Sequence, residues 1–271
     1  MSPKDTDFVG SVPEVYDRVL VPLIFEEHAV DLAERVPADA MAVLEVAAGS
    51  GVLTRVLADT LPSATEIIAT DLNAPMLERA RSVGTSRVVG WQVADVMDLP
   101  FEDESFDAVV CQFSVMFFPD KAAAFAEMAR VLRPGGMLLF NVWDRIETNE
   151  FADEVTKALA VVFPEDPPRF LARTPHGYWE ESAIRSDLAA PGVLEDVRVD
   201  AVEARSVASH ASDPAIAYCM GTPLRGEIEA LHPGRLDEAV EVATRALAAR
   251  FGHEGLDGSI RGFAVSARKA G

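Results

Sequence analysis

The chain of 271 residues is 49% hydrophobic and 25% charged, a composition typical of a soluble globular protein that can bury a sizeable core. Its 44 acidic and 24 basic residues give a formal net charge of -20, which argues against a nucleic-acid partner because phosphate binding needs a basic surface. No apolar run approaches the ~20 residues that span a bilayer and residues 1–10 carry no signal pattern, so we predict a cytoplasmic protein without a membrane span.

The N-terminal region predicts helices. Residues 12–36 have helical spacing, with an interruption near Pro22, and their apolar side chains lie on more than one face. A helix that is apolar on several faces packs against neighbours on both sides, as a lid does. We therefore assign residues 1–40 to N-terminal lid helices.

Strands and helices then alternate over residues 41–145, the predicted core. Strands are expected at 43–46, 66–71, 88–93, 106–111 and 137–142, and helices at 52–61, 75–83 and 121–132. The last of these helices stops at the turn 133–136, whose sequence is Arg-Pro-Gly-Gly. This alternation predicts a parallel sheet with helices on both faces.

The C-terminal part changes character after Trp143. Helices are expected at 149–163 and 180–190, a strand at 193–207, two helical stretches within 214–250 and a last strand at 259–267. We therefore predict an α/β, Rossmann-like, doubly wound sheet of seven strands, mostly parallel, with a C-terminal antiparallel hairpin and a helical cap. Residues 146–271 belong to the same domain, with the cap inserted at about 208–255.

The small-residue turn after the first strand points to a nucleotide-like cofactor, and three kinds of glycine turn compete for it. A phosphate-binding P-loop is excluded because no lysine lies between Lys4 and Lys121. The dinucleotide pattern G-x-G-x-x-G fits poorly, since its glycine positions hold Ala47, Gly49 and Val52. The methyl-donor turn, acidic-x-Gly-x-Gly-x-Gly, matches residues 45–51 (EVAAGSG) at every place except Ala47.

Four further features follow this turn in order. Asp71 ends the second strand, Asp95 follows the third, Gln112 follows the fourth, and residues 131–136 read VLRPGG before the fifth. Over residues 43–142 the sequence resembles the class I S-adenosylmethionine-dependent methyltransferases, especially the small-molecule branch that includes ubiquinone and menaquinone methylases. The resemblance implies S-adenosylmethionine as cofactor, S-adenosylhomocysteine as product, and a small or medium-sized organic acceptor as the partner.

The resemblance also assigns roles at the nucleoside end of the cofactor. Asp71, at a strand tip, is expected to accept hydrogen bonds from both ribose hydroxyls. Asp95 would accept from the adenine amino group while the backbone N–H of Val96 contacts a ring nitrogen. Leu72 and Met76 would sandwich the adenine.

Other residues are assigned to the methionine end. Ala47 and Gly49 would let the backbone approach the methionine portion, and Glu45 would order the loop or meet the ammonium group. Gln112 lies where this family places the floor of methyl transfer. Tyr16, on the N-terminal helix, would reach the methionine carboxylate with its hydroxyl.

No general base is evident, and His176 is the only histidine whose neighbours suggest the role, because Tyr178 and Trp179 stand beside it. The other histidines have no zinc spacing, so we predict no metal site. The cysteines Cys111 and Cys219 are far apart and are expected to be buried thiols.

Two alternatives stay open beside methyl transfer. A non-catalytic protein with a methyltransferase-like fold would bind the cofactor for regulation or scaffolding, and a nicotinamide-dependent oxidoreductase would bind a dinucleotide. Ala47 bears on the first alternative. A negative φ at Ala47 would leave the turn intact, and a positive φ would favour the non-catalytic interpretation.

Overall fold

The computed structural model describes residues 12–271, with side chains from Glu14 onward. The part of the predicted lid that precedes residue 12 lies outside the described residues. The strands are β1 (Ala42–Glu45), β2 (Glu66–Asp71), β3 (Gly90–Val93), β4 (Phe106–Cys111), β5 (Leu132–Trp143), β6 (Leu194–His210) and β7 (Glu254–Lys269). The α-helices are α1 (Val12–Val15), α2 (Val21–Ile24), α3 (Glu26–Glu34), α4 (Val52–Thr60), α5 (Ala74–Val83), α6 (Lys121–Val131), α7 (Glu150–Val162), α8 (Phe170–Arg173), α9 (Glu181–Ala189), α10 (Ser212–Met220), α11 (Leu224–Leu231) and α12 (Leu236–Phe251).

The seven strands form one sheet in the order β3-β2-β1-β4-β5-β7-β6. The pairs β1–β2, β2–β3, β1–β4 and β4–β5 are parallel, and the C-terminal strands add the antiparallel part. The predicted fold class is therefore confirmed. Because the winding reverses between β1 and β4, the carboxyl ends of these strands flank the crevice where doubly wound proteins bind ligands.

The strands at this crevice form where the sequence predicted them, with small shifts. β2 and β4 have the predicted bounds, while β3 begins at Gly90 rather than at 88. The turn at 133–136 lies inside β5, as an irregularity between the pairs Phe106–Leu132 and Ala108–Met137. The chain thus bulges at the turn and continues in the same strand.

The helical regions depart from the prediction at residues 16–20 and between β6 and β7, and α8 forms where no helix was predicted. Residues 16–20 form a π-helix in which Val21 N–H donates to Tyr16 O, and Pro22, which has no N–H, follows it. Three helices, α10, α11 and α12, lie between β6 and β7, so the expected two stretches are wrong. Gly221 follows α10 as its C-cap, and a Cβ there would stand 2.6 Å from Ala217 O.

The chain divides into two compact units. Unit 1 contains the described residues up to Glu26, with Trp143–Tyr178 and Glu203–Arg261. Unit 2 contains Glu27–Val142, Trp179–Val202 and Gly262–Gly271. The turn at 45–51 and the ends of β2, β3 and β4 all belong to unit 2. The predicted domain boundaries and cap stay predictions.

Within the described range 12–271, no helix combines the length and apolarity needed to cross a membrane. The same residues contain no group of three or more His, Cys, Asp or Glu side chains arranged to hold a metal ion. Cys111 and Cys219 are free and buried, as predicted, and burial raises the pKa of both thiols.

Candidate functional site

The turn after β1 reverses sharply because three of its residues are left-handed. Ala47, Gly49 and Gly51 have φ values of 53°, 57° and 80°. Backbone hydrogen bonds hold the turn to both neighbouring strands: Val46 N–H donates to Val110 O at 2.9 Å, and Ala48 N–H donates to Thr70 O at 2.8 Å. The turn is therefore a fixed part of the sheet edge, with little side chain above it.

The φ of Ala47 is positive, which is the condition that the sequence analysis linked to a non-catalytic protein. The left-handed conformation costs an alanine about 1–2 kcal/mol, a cost that glycine avoids because it has no Cβ. The turn still keeps its hydrogen bonds to both strands. The Ala47 N–H donates to no residue in the described range and is available to a ligand. A positive φ at this position therefore does not by itself favour a non-catalytic protein.

Ala47→Gly is expected to raise the free energy of unfolding by up to about 1 kcal/mol, because the relief of backbone strain outweighs the stability lost when the unfolded chain becomes more flexible. Affinity for S-adenosylhomocysteine should stay within about twofold. Ala48→Gly is the matched control: Ala48 is not among the left-handed residues, so its replacement should lower stability by about 1 kcal/mol. Urea unfolding measures both variants, and equal losses would contradict strain at Ala47.

Asp71 links the turn to the next loop. Its Oδ2 accepts from Gly49 N–H at 2.8 Å and its Oδ1 accepts from Asn73 N–H at 2.7 Å. Burial raises the pKa of Asp71, and the two backbone hydrogen bonds oppose this shift. Since a carboxylate oxygen can accept more than one hydrogen bond, Asp71 is fixed in position and can still accept from a diol.

Glu45 lies beneath the turn and is only 1% exposed. Thr54 Oγ1, on α4, donates to Glu45 Oε2 at 2.5 Å, and Thr70 Oγ1 donates to the Glu45 carbonyl oxygen at 3.1 Å. Burial raises the pKa of Glu45 to about 8. Of the two roles left open for Glu45, this geometry supports ordering of the loop. Thr54, its side-chain partner, was not identified from the sequence.

The loops after β2 and β3 carry the residues assigned to adenine. Leu72 is 58% exposed, so its apolar side chain is open to contact with a ligand. Met76 is 3% exposed, and its Cε lies 3.5 Å from the place of a Cβ on Gly49. Met76 therefore supports the turn from below, and only Leu72 of this pair offers an open surface.

Asp95 and Val96 form a short turn after β3. Asp95 is exposed, and its Oδ1 accepts from Met97 N–H at 2.9 Å. The Val96 N–H donates to no described residue. The exposed carboxylate of Asp95 thus lies next in sequence to an N–H that donates to no described residue. This combination complements an amino group next to a ring nitrogen.

The segment after β4 approaches the turn from the other side. Gln112 is half-buried, and Phe113 is left-handed with a φ of 48°. Ser114 Oγ donates to the Ala47 carbonyl oxygen at 3.4 Å, which joins this segment to the turn. Strained residues on both segments, Ala47 and Phe113, are typical of a functional site.

Tyr16 and His176 belong to unit 1. Tyr16 lies on the π-helix, with its ring centroid 5.3 Å from that of Phe25. His176 Nδ1 lies 2.8 Å from the Asp144 carbonyl oxygen, which can only accept, so Nδ1 carries the proton and Nε2 the lone pair. Burial lowers the pKa of His176 to about 4, so the ring is neutral near pH 7. The roles of both residues stay predictions.

Comparisons with known proteins agree with the geometry. The family profile of the methyltransferase domain matches residues 44–140. An uncharacterised protein of Mycobacterium tuberculosis is 35% identical over 153 residues, 56% of this chain and 53% of that protein. The ubiquinone/menaquinone biosynthesis C-methyltransferase of Pectobacterium carotovorum is 31% identical over 199 residues, 71% of this chain and 72% of that enzyme.

One solved structure shares the fold over nearly the whole chain. Phosphoethanolamine N-methyltransferase 2 of Haemonchus contortus, bound to phosphomonomethylethanolamine and S-adenosylhomocysteine, superposes with a TM-score of 0.62 at 16% identity. The match covers 98% of this chain and 60% of that one, and at this identity it shows the fold alone. This chain spans about half the length of several curated relatives that it matches.

Proposed function

Because this chain belongs to the class I S-adenosylmethionine-dependent methyltransferases, we propose that it transfers a methyl group to a small or medium-sized organic acceptor. Its cofactor is S-adenosylmethionine. The observation that carries the proposal is the rigid, nearly side-chain-free turn at 47–51 with the carboxylate of Asp71 fixed beside it.

The residues of the site fit this cofactor. The turn leaves its backbone open to the methionine portion, and a Cβ on Gly51 would stand only 3.0 Å from Ala80 Cβ. Asp71 is the acceptor for the ribose diol, and the exposed Leu72 offers an apolar surface to the base. Asp95 and the Val96 N–H supply the two polar partners that adenine needs.

In this reaction the main task of the protein is to position the cofactor and the acceptor. The bound sulfonium supplies an activated methyl group for in-line displacement. Asp71 holds the nucleoside end, and Gln112 lies on the floor where the acceptor meets the methyl group. His176 is our proposed base: its Nε2 would take the proton that an acidic acceptor loses. Tyr16 is proposed to contact the methionine carboxylate.

The names of the relatives suggest an acceptor class. Relatives of this chain include the ubiquinone/menaquinone biosynthesis C-methyltransferase and demethylmenaquinone methyltransferases. We propose a hydroxylated aromatic acceptor of the quinol type for this chain. We also propose a cytoplasmic location and no nucleic-acid partner. The second of these rests on the net charge of -20.

Turnover separates this function from the non-catalytic alternative. The purified full chain is incubated with methyl-labelled S-adenosylmethionine and a panel of hydroquinones, phenols and amines, and labelled product is measured. We expect acceptor-dependent formation of S-adenosylhomocysteine and a labelled hydroquinone product. Binding of S-adenosylhomocysteine without turnover on any acceptor would support the non-catalytic protein instead.

A further inference from the structure

The side chain of a buried asparagine on β5 has no hydrogen-bond partner among the described residues. Asn141 is 0% exposed, and neither its amide nitrogen nor its amide oxygen bonds to any group in the described part of the chain. Buried polar groups are nearly always hydrogen-bonded, so an amide whose nitrogen and oxygen both lack a hydrogen bond calls for a functional explanation. Replacing it with an apolar side chain of similar shape would cost the fold nothing in hydrogen bonds.

The position of Asn141 points to the acceptor side of the site. The parallel register of β4 and β5 ends with the pair Cys111–Phe140, so Gln112 and Asn141 are each the next residue along their strands. Neighbouring strands lie about 4.8 Å apart, which places Asn141 beside Gln112 at the carboxyl edge of the sheet. Asp71 ends β2 on the other side of β1, three strand spacings away from Asn141.

Asn141 also shares a face of the sheet with the site. Side chains alternate along a strand, so Asn141 points to the same side as Leu139. Leu139 pairs with Val110, and Val110 pairs with Glu45. The carboxyl group of Glu45 accepts a hydrogen bond from Thr54 Oγ1. Val110 and Leu139, which lie on this face, are apolar and buried.

We propose that Asn141 determines acceptor specificity by hydrogen-bonding to an uncharged hydroxyl or carbonyl group on an otherwise apolar acceptor. A carboxamide both donates and accepts, which matches a hydroxyl group, and it carries no charge to balance an ion in an apolar wall. This inference rests on the proposed function, because it concerns the acceptor side of the same site.

Access to Asn141 requires the neighbouring segment to move, since the amide has no exposed surface. Phe113 has the strained φ of 48°, and its Cε1 lies 3.2 Å from the place of a Cβ on Gly262. The Val142 carbonyl oxygen, one residue after Asn141, lies 3.0 Å from the same point. Backbone strain of this kind is common in segments that change conformation on binding. The acceptor would displace Phe113 and complete the hydrogen bonds of Asn141.

Two variants test the proposal. Asn141→Leu removes the unmet amide, so the melting temperature should stay the same or rise. Asn149→Leu is the matched control: Asn149 is 2% exposed, and its amide is satisfied by the backbones of Arg145 and Arg261. This control should lose on the order of 5 °C.

Binding of naphthohydroquinone, kept reduced and anaerobic, to the protein saturated with S-adenosylhomocysteine gives the second readout. The wild type should prefer the diol over its dimethyl ether by about tenfold, and Asn141→Leu should lose this preference. A retained preference, a melting-temperature loss equal to that of Asn149→Leu, or no diol binding by the wild type would overturn the proposal. Affinity for S-adenosylhomocysteine should be equal in the wild type and Asn141→Leu, and failure of the wild type to bind it would count against the proposed function instead.

Discussion

Asp71→Ala is expected to weaken the binding of S-adenosylhomocysteine by at least about 100-fold, the largest loss of affinity that we predict for a single substitution. Hydrogen bonds to a carboxylate contribute about 1.5–3 kcal/mol each, and the ribose offers two hydroxyls. The substitution also removes the acceptor for Gly49 N–H, so the turn itself loses a fixed point. Isothermal titration calorimetry measures the change.

Two control variants make this result specific. Asp71→Asn keeps one oxygen acceptor in the same place and should show an intermediate loss. Asp98→Ala removes an exposed carboxylate from the neighbouring loop and should change the affinity by less than about twofold. Undiminished binding by Asp71→Ala, with its fold verified by thermal unfolding, would show that the ribose does not bind at Asp71.

Glu45 is expected to make the stability of the protein fall as the pH rises. Its pKa is about 8 in the folded protein against an ordinary value of 4.5, so the folded state binds the proton more tightly. The stabilisation is complete below about pH 4.5 and disappears as the pH rises through 8. The slope is about 1.4 kcal/mol per pH unit, so on the order of 4 kcal/mol is lost between pH 5 and pH 8.

Glu45→Gln isolates this effect. Glutamine is uncharged at every pH and keeps an oxygen acceptor for Thr54 Oγ1, so this contribution to the pH dependence should vanish in the variant. Urea unfolding at several pH values between 5 and 8 gives the free energy of unfolding for both proteins, and Glu27→Gln, on an exposed glutamate, should follow the wild type. Equal pH slopes in wild type and Glu45→Gln would show that Glu45 is already ionised in the fold.

The sequence predicted the frame of the site well, because that frame depends on local patterns. An apolar strand, a run of small residues and a helical repeat are visible around residues 43–61 without any tertiary information. The acidic ends at Asp71 and Asp95 could be placed because each directly follows a strand. Gly49 and Gly51 suit the left-handed backbone that the turn requires.

The features that sequence analysis missed depend on long-range packing. The sign of φ at Ala47 follows from hydrogen bonds to β2 and β4, which no local propensity encodes. Met76 has the same apolar character as Leu72, and only the structure shows that Met76 is buried and Leu72 is open. Asn141 sits in an apolar strand, and its isolation could have served as a signal, since an amide is uncommon in a buried parallel strand.

A crystal structure of the full chain with S-adenosylhomocysteine tests the central claim most directly. We predict that the ribose hydroxyls lie within about 3.2 Å of the Asp71 carboxylate oxygens, with the homocysteine portion over residues 47–51. The adenine should contact Leu72 and the Asp95–Val96 turn. Electron density for the ligand at any other position, or none at saturating concentration, would contradict the assignment of this site.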